Sequence, residues 1–282
     1  MPMKLSVIVV NNNMSVLLRQ SLNSLINACK DIDYELLVVD DASTDNSVTM
    51  LQREFPETKL ILNKETLGMA KSRNLALEQA KGQYVLLVNA DTISGKKTIQ
   101  HVVDFMDSHH GAGGVGVRML TPRGNYLTES RIGFSNAWAS LLRLTGLARF
   151  FPKSRLYKNM DESRVEEDEF ATTEVDVING AFMLLRSSVL NHVGMFDERF
   201  MTFGADIDLS FRMRIAGYKN YYFPRTYILN FCKQLKPQFT WHYIKDFYGA
   251  MIIFAAKYLF RMPEIKIPAM QQMFAPKYEV ER

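Results

Sequence analysis

The sequence predicts an α/β protein: a mixed, mainly parallel central sheet flanked by helices, with a C-terminal helical appendage. Three observations carry that expectation. Short apolar runs rich in β-branched residues alternate with helix-period stretches up to residue 120. Clusters of Asn and Asp follow several of these runs directly. A chain of 282 residues with 47% hydrophobic content can also bury one large core. The main domain is expected over residues 1–236 and the tail over 237–282.

The elements follow in order. Residues 5–10 are almost wholly apolar and read as a buried strand, too short for a signal-peptide core or a membrane span. Leu18, Leu22, Leu25 and Cys29 recur at helical spacing, which makes Cys29 a core residue. Strands are expected at 34–40, 59–63 and 84–89, and helices at 47–55 and 70–80. Apolar strands between helices imply parallel strands covered on both faces, and ligands of such sheets bind beyond the carboxyl ends of the strands. The polar residues at those ends are Asn11 to Asn13, Asp40 with Asp41, and Asn89 to Asp91.

Charge and cysteine content exclude whole classes. A net charge of +4 with interspersed acids and bases lacks the concentrated basic face of a nucleic-acid binder. Two distant cysteines, Cys29 and Cys232, suit a reducing compartment, so a cytoplasmic location is expected. The run Gly111 to Gly116 spells G-x-G-x-x-G, but a helical pattern precedes it and a strand-like run follows, the reverse of the dinucleotide-binding order. His109 and His110 have no partner at metal-ligand spacing and are expected at a helix C-terminus.

Further on, the aromatic stretch 134–151 precedes an acidic run, 161–169, that reads as solvated loop. In the tail, Trp241, Ile244, Tyr248, Met251, Ala255 and Tyr258 have the spacing of an amphipathic helix. That helix either packs on the main domain or lies on the cytoplasmic membrane surface beside Lys233, Lys236, Arg261 and Lys266.

Three clusters have the chemistry of a site. Asp40 and Asp41 end a strand, where a carboxylate can accept a hydrogen bond from a base N–H, while Thr44 or Asp45 caps the next helix. Asp91 ends another strand and could hold a divalent cation shared with a diphosphate, or simply form a turn. Asp206 and Asp208 open a helical pattern, which suggests one N-cap and one free acid able to take a proton.

In this order, VVDDASTDNS, LGMAKSRNLALEQAKGQYVLLVNADT, EVDVINGAFMLLR and GMFDERFMTFGADIDLSFRMRIAGYKNYYFP resemble the family 2 glycosyltransferases, most of all their bacterial rhamnosyltransferase-like branch. The likeness runs over residues 3–260. It implies the GT-A fold and inverting transfer of a sugar from a UDP- or dTDP-linked donor. The acceptor would be a hydroxyl of a cell-surface glycan or lipid-linked acceptor. It further implies that Asp41 contacts the base with Asn11 and Asn13 beside it. Lys71, Asn74 and Asn89 would run past the nucleotide and donor sugar, and Gly180 with Ala181 would shape the donor–acceptor pocket. By the same resemblance Asp91 holds Mg²⁺ or Mn²⁺, and Asp206 is the general base.

Four positions depart from the family pattern. Asn89-Ala90-Asp91 leaves one acid where two or three are usual, Ala205 replaces a Glu, Asn230 replaces a His, and Asn12 replaces an aromatic residue. These substitutions keep a second reading open: a catalytically weakened or inactive relative that binds sugar nucleotides or serves in assembly.

Overall fold

The computed structural model describes residues 3–132, 170–200, 203–231 and 241–260. The stretches 134–151 and 161–169, and the basic residues Lys233, Lys236, Arg261 and Lys266, lie outside them.

Every residue of β1 (Leu5–Asn11) is buried, as its almost wholly apolar run requires of a strand covered on both faces. It pairs in parallel with β2 (Tyr34–Asp40) and β4 (Tyr84–Asn89), and β3 (Lys59–Leu62) adds in parallel outside β2. The helices α1 (Ser15–Ala28), α2 (Ser47–Glu54) and α3 (Met69–Leu77) make the connections. Beyond β4 come the short β5 (Thr92–Ser94), α4 (Thr98–Ser108), β6 (Ala112–Leu120) and α5 (Glu129–Ile132). After them follow β7 (Thr173–Val175), β8 (Phe182–Arg186), α6 (Ser187–Val193) and α7 (Ala205–Ile215). The strand β9 (Lys219–Asn230) leads to α8 (Trp241–Ala255) and a π-helical turn, Ala256–Phe260.

The strands form one mixed sheet in the order β3-β2-β1-β4-β8-β6-β9-β5, with β7 pairing β9. Because β8 runs antiparallel to β4, its start lies beside the end of β4, and Phe182 pairs Val88. Register also sets Asn11 opposite Asp40 and Val10 opposite Asn89. One sheet edge therefore gathers the ends of β1, β2 and β4 with the beginning of β8.

Side chains alternate between two cores. Leu5, Val7 and Val9 face α1, α2 and α4, with Leu18, Leu22, Leu25 and Cys29 fully buried there. Ile8 and Val10 face the core containing Ala70, Val189, Leu209 and Phe254, on the side of α3, α6, α7 and α8.

The expected boundaries hold to within a few residues, and two details differ. Gly113, Gly114 and Gly116 lie inside β6 rather than before it, so the glycine run is sheet, with α4 ahead of it. As expected, His109 closes α4 at its exposed C-terminal end, stacked on Phe105 at 4.0 Å, and Arg186 Nη2 joins it there by donating to Met106 O at 2.9 Å. Along α8 and the turn after it the buried face runs through Ala250, Met251, Phe254 and Tyr258; Met251 and Tyr258 are where they were expected, and Tyr248, expected among them, is exposed. Phe247 takes the place expected of Tyr248, meeting Phe203 edge-on. The tail helix thus packs on the main domain through a stripe that differs from the expected one at Phe247 and Phe254. No helix among the described residues is long and apolar enough to cross a membrane.

Candidate active site

The site is built where the strand ends meet. At the end of β1, Asn11 is fully buried and its Nδ2 donates to Asp40 at 2.9 Å and to Ser43 Oγ at 3.1 Å. Asn13 takes a left-handed φ of 55°, which an Asn tolerates. Its Oδ1 accepts from Thr44 N at 2.7 Å and Asp45 N at 3.2 Å. The two asparagines therefore fix the loop after β2. Asp45 then accepts from Ser15 N and Ser47 N, at 3.0 and 2.9 Å, tying the starts of α1 and α2 together.

Asp41 is buried and accepts four hydrogen bonds. Its Oδ1 takes Asn63 Nδ2 at 2.7 Å, Leu67 N at 2.8 Å and Ser72 Oγ at 3.0 Å, and its Oδ2 takes Gly68 N at 3.0 Å. A buried carboxylate needs such partners. Here they draw the loop leading into α3 against the end of β2. Ala42, next in the chain, holds a φ of +59°, uncommon for a residue with a Cβ and stabilised by these surrounding bonds.

The helix α3 carries the next group. Its buried stripe is Ala70, Arg73, Asn74 and Leu77, so a guanidinium falls where an apolar residue is usual. Arg73 Nη2 donates to Gly180 O at 2.7 Å and Asn89 Oδ1 at 3.1 Å, and the guanidinium stacks 5.4 Å from the Phe196 ring centre. Burial lowers its pKa to about 10, opposed by the charge of Asp206, so it stays cationic at neutral pH.

The first turn of α7 supplies the carboxylate. Asp206 is half-buried; Gly180 N donates to its Oδ2 at 3.1 Å and Ile207 N to its Oδ1 at 3.0 Å. Burial pushes this carboxyl above the ordinary range, against the Gly180 N–H and the nearby Arg73 charge, which pull the other way. Gly180 is the wedge between the two: a Cβ there would stand 3.2 Å from both Arg73 Nη1 and Asp206 Oδ2. A side chain would push cation and carboxylate apart.

Asp91 is buried in the turn from β4 to β5, two residues past Asn89, and its carbonyl accepts from Phe231 N at 3.0 Å. Pairing of Thr92 with Asn230 brings Asn230 alongside. Among the described residues no three His, Cys, Asp or Glu side chains gather to hold a metal. A lone carboxylate does not make a resident ion site. It does fit a hard cation that takes most of its oxygen ligands from a bound diphosphate.

The edge therefore brings Asn11, Asn13 and Asp41 together at one end, and Asn89, Gly180 and Asp206 together at the other. Two expectations change. Asn74 is spent on structure: Phe196 N donates to its Oδ1 at 3.0 Å, and its Nδ2 donates to Phe196 O at 2.9 Å and Glu198 at 3.0 Å. Neither acid of α7 caps that helix. The cap position is Gly204, at a left-handed φ of 87°, and Asp208 is fully buried among charged partners instead. Lys71, in the first turn of α3, is exposed. Arg73 itself was not singled out from sequence, although an Arg on the buried stripe of a helix is a readable signal.

Comparison with known proteins places the chain in a family and a fold. The profile described as Glycosyl transferase family 2 matches residues 6–193. The poly(ribitol-phosphate) β-N-acetylglucosaminyltransferase TarS of Staphylococcus aureus is 38% identical over 114 residues, covering 38% of this chain and 20% of that protein. The N-acetylglucosaminyl-diphospho-decaprenol L-rhamnosyltransferase of Mycobacterium tuberculosis is 25% identical over 209 residues, covering 69% of this chain and 66% of that one. The chain thus spans only part of the length of both relatives.

Among solved structures, S. aureus TarS superposes with a TM-score of 0.60 and 21% identity over 91% of this chain and 40% of that one. The mannosyltransferase PcManGT of Pyrobaculum calidifontis, in complex with GDP-Man and Mn²⁺, gives 0.57 and 20% over 97% and 74%. The fold is the one these GT-A enzymes share.

Proposed function

Because the chain belongs to glycosyl transferase family 2, we propose that it transfers one sugar from a UDP- or dTDP-linked donor to an acceptor hydroxyl, with inversion at the anomeric carbon. The single observation that carries this reading is the pairing of Asp206 with Arg73 across Gly180. It sets a carboxylate with a raised pKa beside a buried cation, at the sheet edge where ligands of such folds bind.

Each residue then has a role. Asp206 accepts the proton as the acceptor oxygen forms its bond to the anomeric carbon. The bond from that carbon to the diphosphate breaks, and the diphosphate departs with the electron pair. Arg73 fixes Asn89 and the Gly180 carbonyl and lends positive charge to the same side of the site. Asp41, with Asn11 and Asn13 behind it, frames the base pocket by holding residues 63–68 in place. Asp91 would hold a Mg²⁺ or Mn²⁺ ion. Such an ion neutralises charge on the leaving diphosphate when bound.

The acceptor class we infer is a cell-surface glycan or a lipid-linked glycan, by analogy with the two relatives named above. Contact with the inner face of the cytoplasmic membrane belongs to the same reading. It is supported by Tyr248 and Ile252, which are exposed on the outer side of α8.

Calorimetric titration with UDP and dTDP, with and without Mn²⁺, tests the donor end of the site. One nucleotide should bind at least about tenfold more tightly with Mn²⁺, a gain of ~1.4 kcal/mol, and Asp91→Ala should abolish that gain. Equal binding with and without the ion would remove Asp91 from the reading. No binding of either nucleotide to folded protein would favour a relative that keeps the fold without the activity.

A further inference from the structure

The first turn of α7, which carries Asp206, has no side-chain cap of its own. It is fixed from two sides. From the sheet, Gly180 N reaches Asp206. From the tail, Lys257 Nζ donates to Asp208 Oδ1 at 2.7 Å and Tyr258 OH to the same oxygen at 2.6 Å, while Arg212 Nε holds Oδ2 at 2.9 Å. Asp208 is fully buried, and the Tyr258 ring meets Phe211 edge-on at 4.5 Å.

The same tail residues reach the site by a second route. Lys257 Nζ also donates to Asp197 at 2.8 Å. Arg212 staples the carbonyls of Val193, Gly194 and Met195 at 2.6–2.9 Å, and Asn74 binds Phe196 and Glu198. Residues 193–198 are thus held between α7, Lys257 of the tail and α3, with the Phe196 ring under the Arg73 guanidinium.

We infer that Lys257 and Tyr258 are positioning residues for Asp206, the tail clamping Asp208 and Asp197 so that the carboxylate and Arg73 keep their places on either side of Gly180. The inference rests on the proposed role of Asp206. It adds a function for a segment outside the motif-bearing domain. A tail that only covered apolar surface would need the Tyr258 ring but neither its hydroxyl nor the Lys257 ammonium. The two polar groups converge instead on one buried carboxylate two residues from the candidate base.

Amide hydrogen exchange on the full chain tests it without reference to any substrate. In Tyr258→Phe, which keeps the ring, and in Lys257→Gln, the amides of Gly180 and Ile207 should exchange at least about tenfold faster, while those of β1 and β4 stay within about twofold. Lys257→Arg should restore protection. With a panel of UDP- and dTDP-sugars, kcat for donor consumption should fall about tenfold in the same variants, with KM within about threefold.

Unchanged exchange at Gly180 and Ile207, or a uniform rise across the chain, would overturn the inference and leave the tail a stabilising cover. If the unmodified chain consumes no donor, the proposed function fails while the exchange result still decides the clamp. If Lys257→Gln does not fold, Tyr258→Phe alone decides it.

Discussion

Asp206→Asn should reduce donor turnover by about 10²–10⁴-fold, the usual contribution of a positioned general base, while leaving nucleotide affinity within about threefold. The amide can still accept the Gly180 hydrogen bond, so the loop keeps its anchor while the proton acceptor is lost. The pH profile gives an independent check. Burial raises the Asp206 carboxyl, so the protonated, inactive form persists above the ordinary carboxylate range near ~4. Turnover should fall as pH drops through that raised value, and the residual activity of the variant should lack this limb.

Stability carries the opposite sign. A carboxyl raised by folding binds its proton more tightly in the folded chain than in the unfolded one. Its contribution is therefore most favourable below the unfolded pKa and is lost as pH rises through the folded one. The variant, with nothing to ionise, should melt no lower than the parent at neutral pH. Differential scanning calorimetry at acid and neutral pH would show it. A loss of melting temperature equal to the loss of activity would mean that Asp206 serves the fold rather than the chemistry.

Arg73→Met has the second large effect, and it falls on fold and function together. Removal of the guanidinium strips Gly180 O and Asn89 Oδ1 of their donor in a buried setting. Each such acceptor costs about 1–3 kcal/mol, or ~5–10 °C in melting temperature for the pair in a chain of this size. It also removes the cation that favours ionised Asp206. The acid limb of any residual activity should move to higher pH, because the carboxyl then loses its proton less readily. Arg73→Lys should keep that limb in place. It should still lose about a hundredfold in kcat, since a compact ammonium replaces neither the planar group over the Phe196 ring nor the second nitrogen, Nη1, that flanks Gly180. A lysine variant with unimpaired kcat would reduce Arg73 to a point charge.

The first parallel strands were readable because each is a mostly apolar run of the right length, and β1, β2 and β4 fall where the pattern puts them. The strand ends were readable too, since each of these apolar runs stops at an Asn or Asp that a turn needs. The reach of single side chains was not. Nothing local in the sequence tells that Asn74 spends its amide on residues 120 or more positions away, because such pairings are decided by tertiary packing. The face of α8 was misread at Tyr248 for a related reason. Tyr248 and Phe247 both fit an apolar stripe, and only the position of Phe203 selects between them. Arg73 shows the converse: a charge on a buried helical stripe marks a buried acceptor somewhere, although the sequence does not name Gly180 as its owner.

The pairing of Asp208 with Lys257 and Tyr258 was equally hidden, the partners standing 49 and 50 positions apart. Read locally, two acids at a helix start suggest a cap. The glycine at the cap position leaves neither acid as the cap, and Lys257 arriving from the tail takes up Asp208.

The central claim, inverting sugar transfer at Asp206, is tested most directly by the stereochemistry of the first-formed product. The unmodified chain would be given UDP- and dTDP-sugars with Mn²⁺, and proton NMR followed before the released or transferred sugar can equilibrate. At least one donor should be consumed, with the new anomeric centre opposite in configuration to that of the donor and no product from Asp206→Asn. A product that retains the configuration of the donor, or equal turnover by the variant, would contradict that claim.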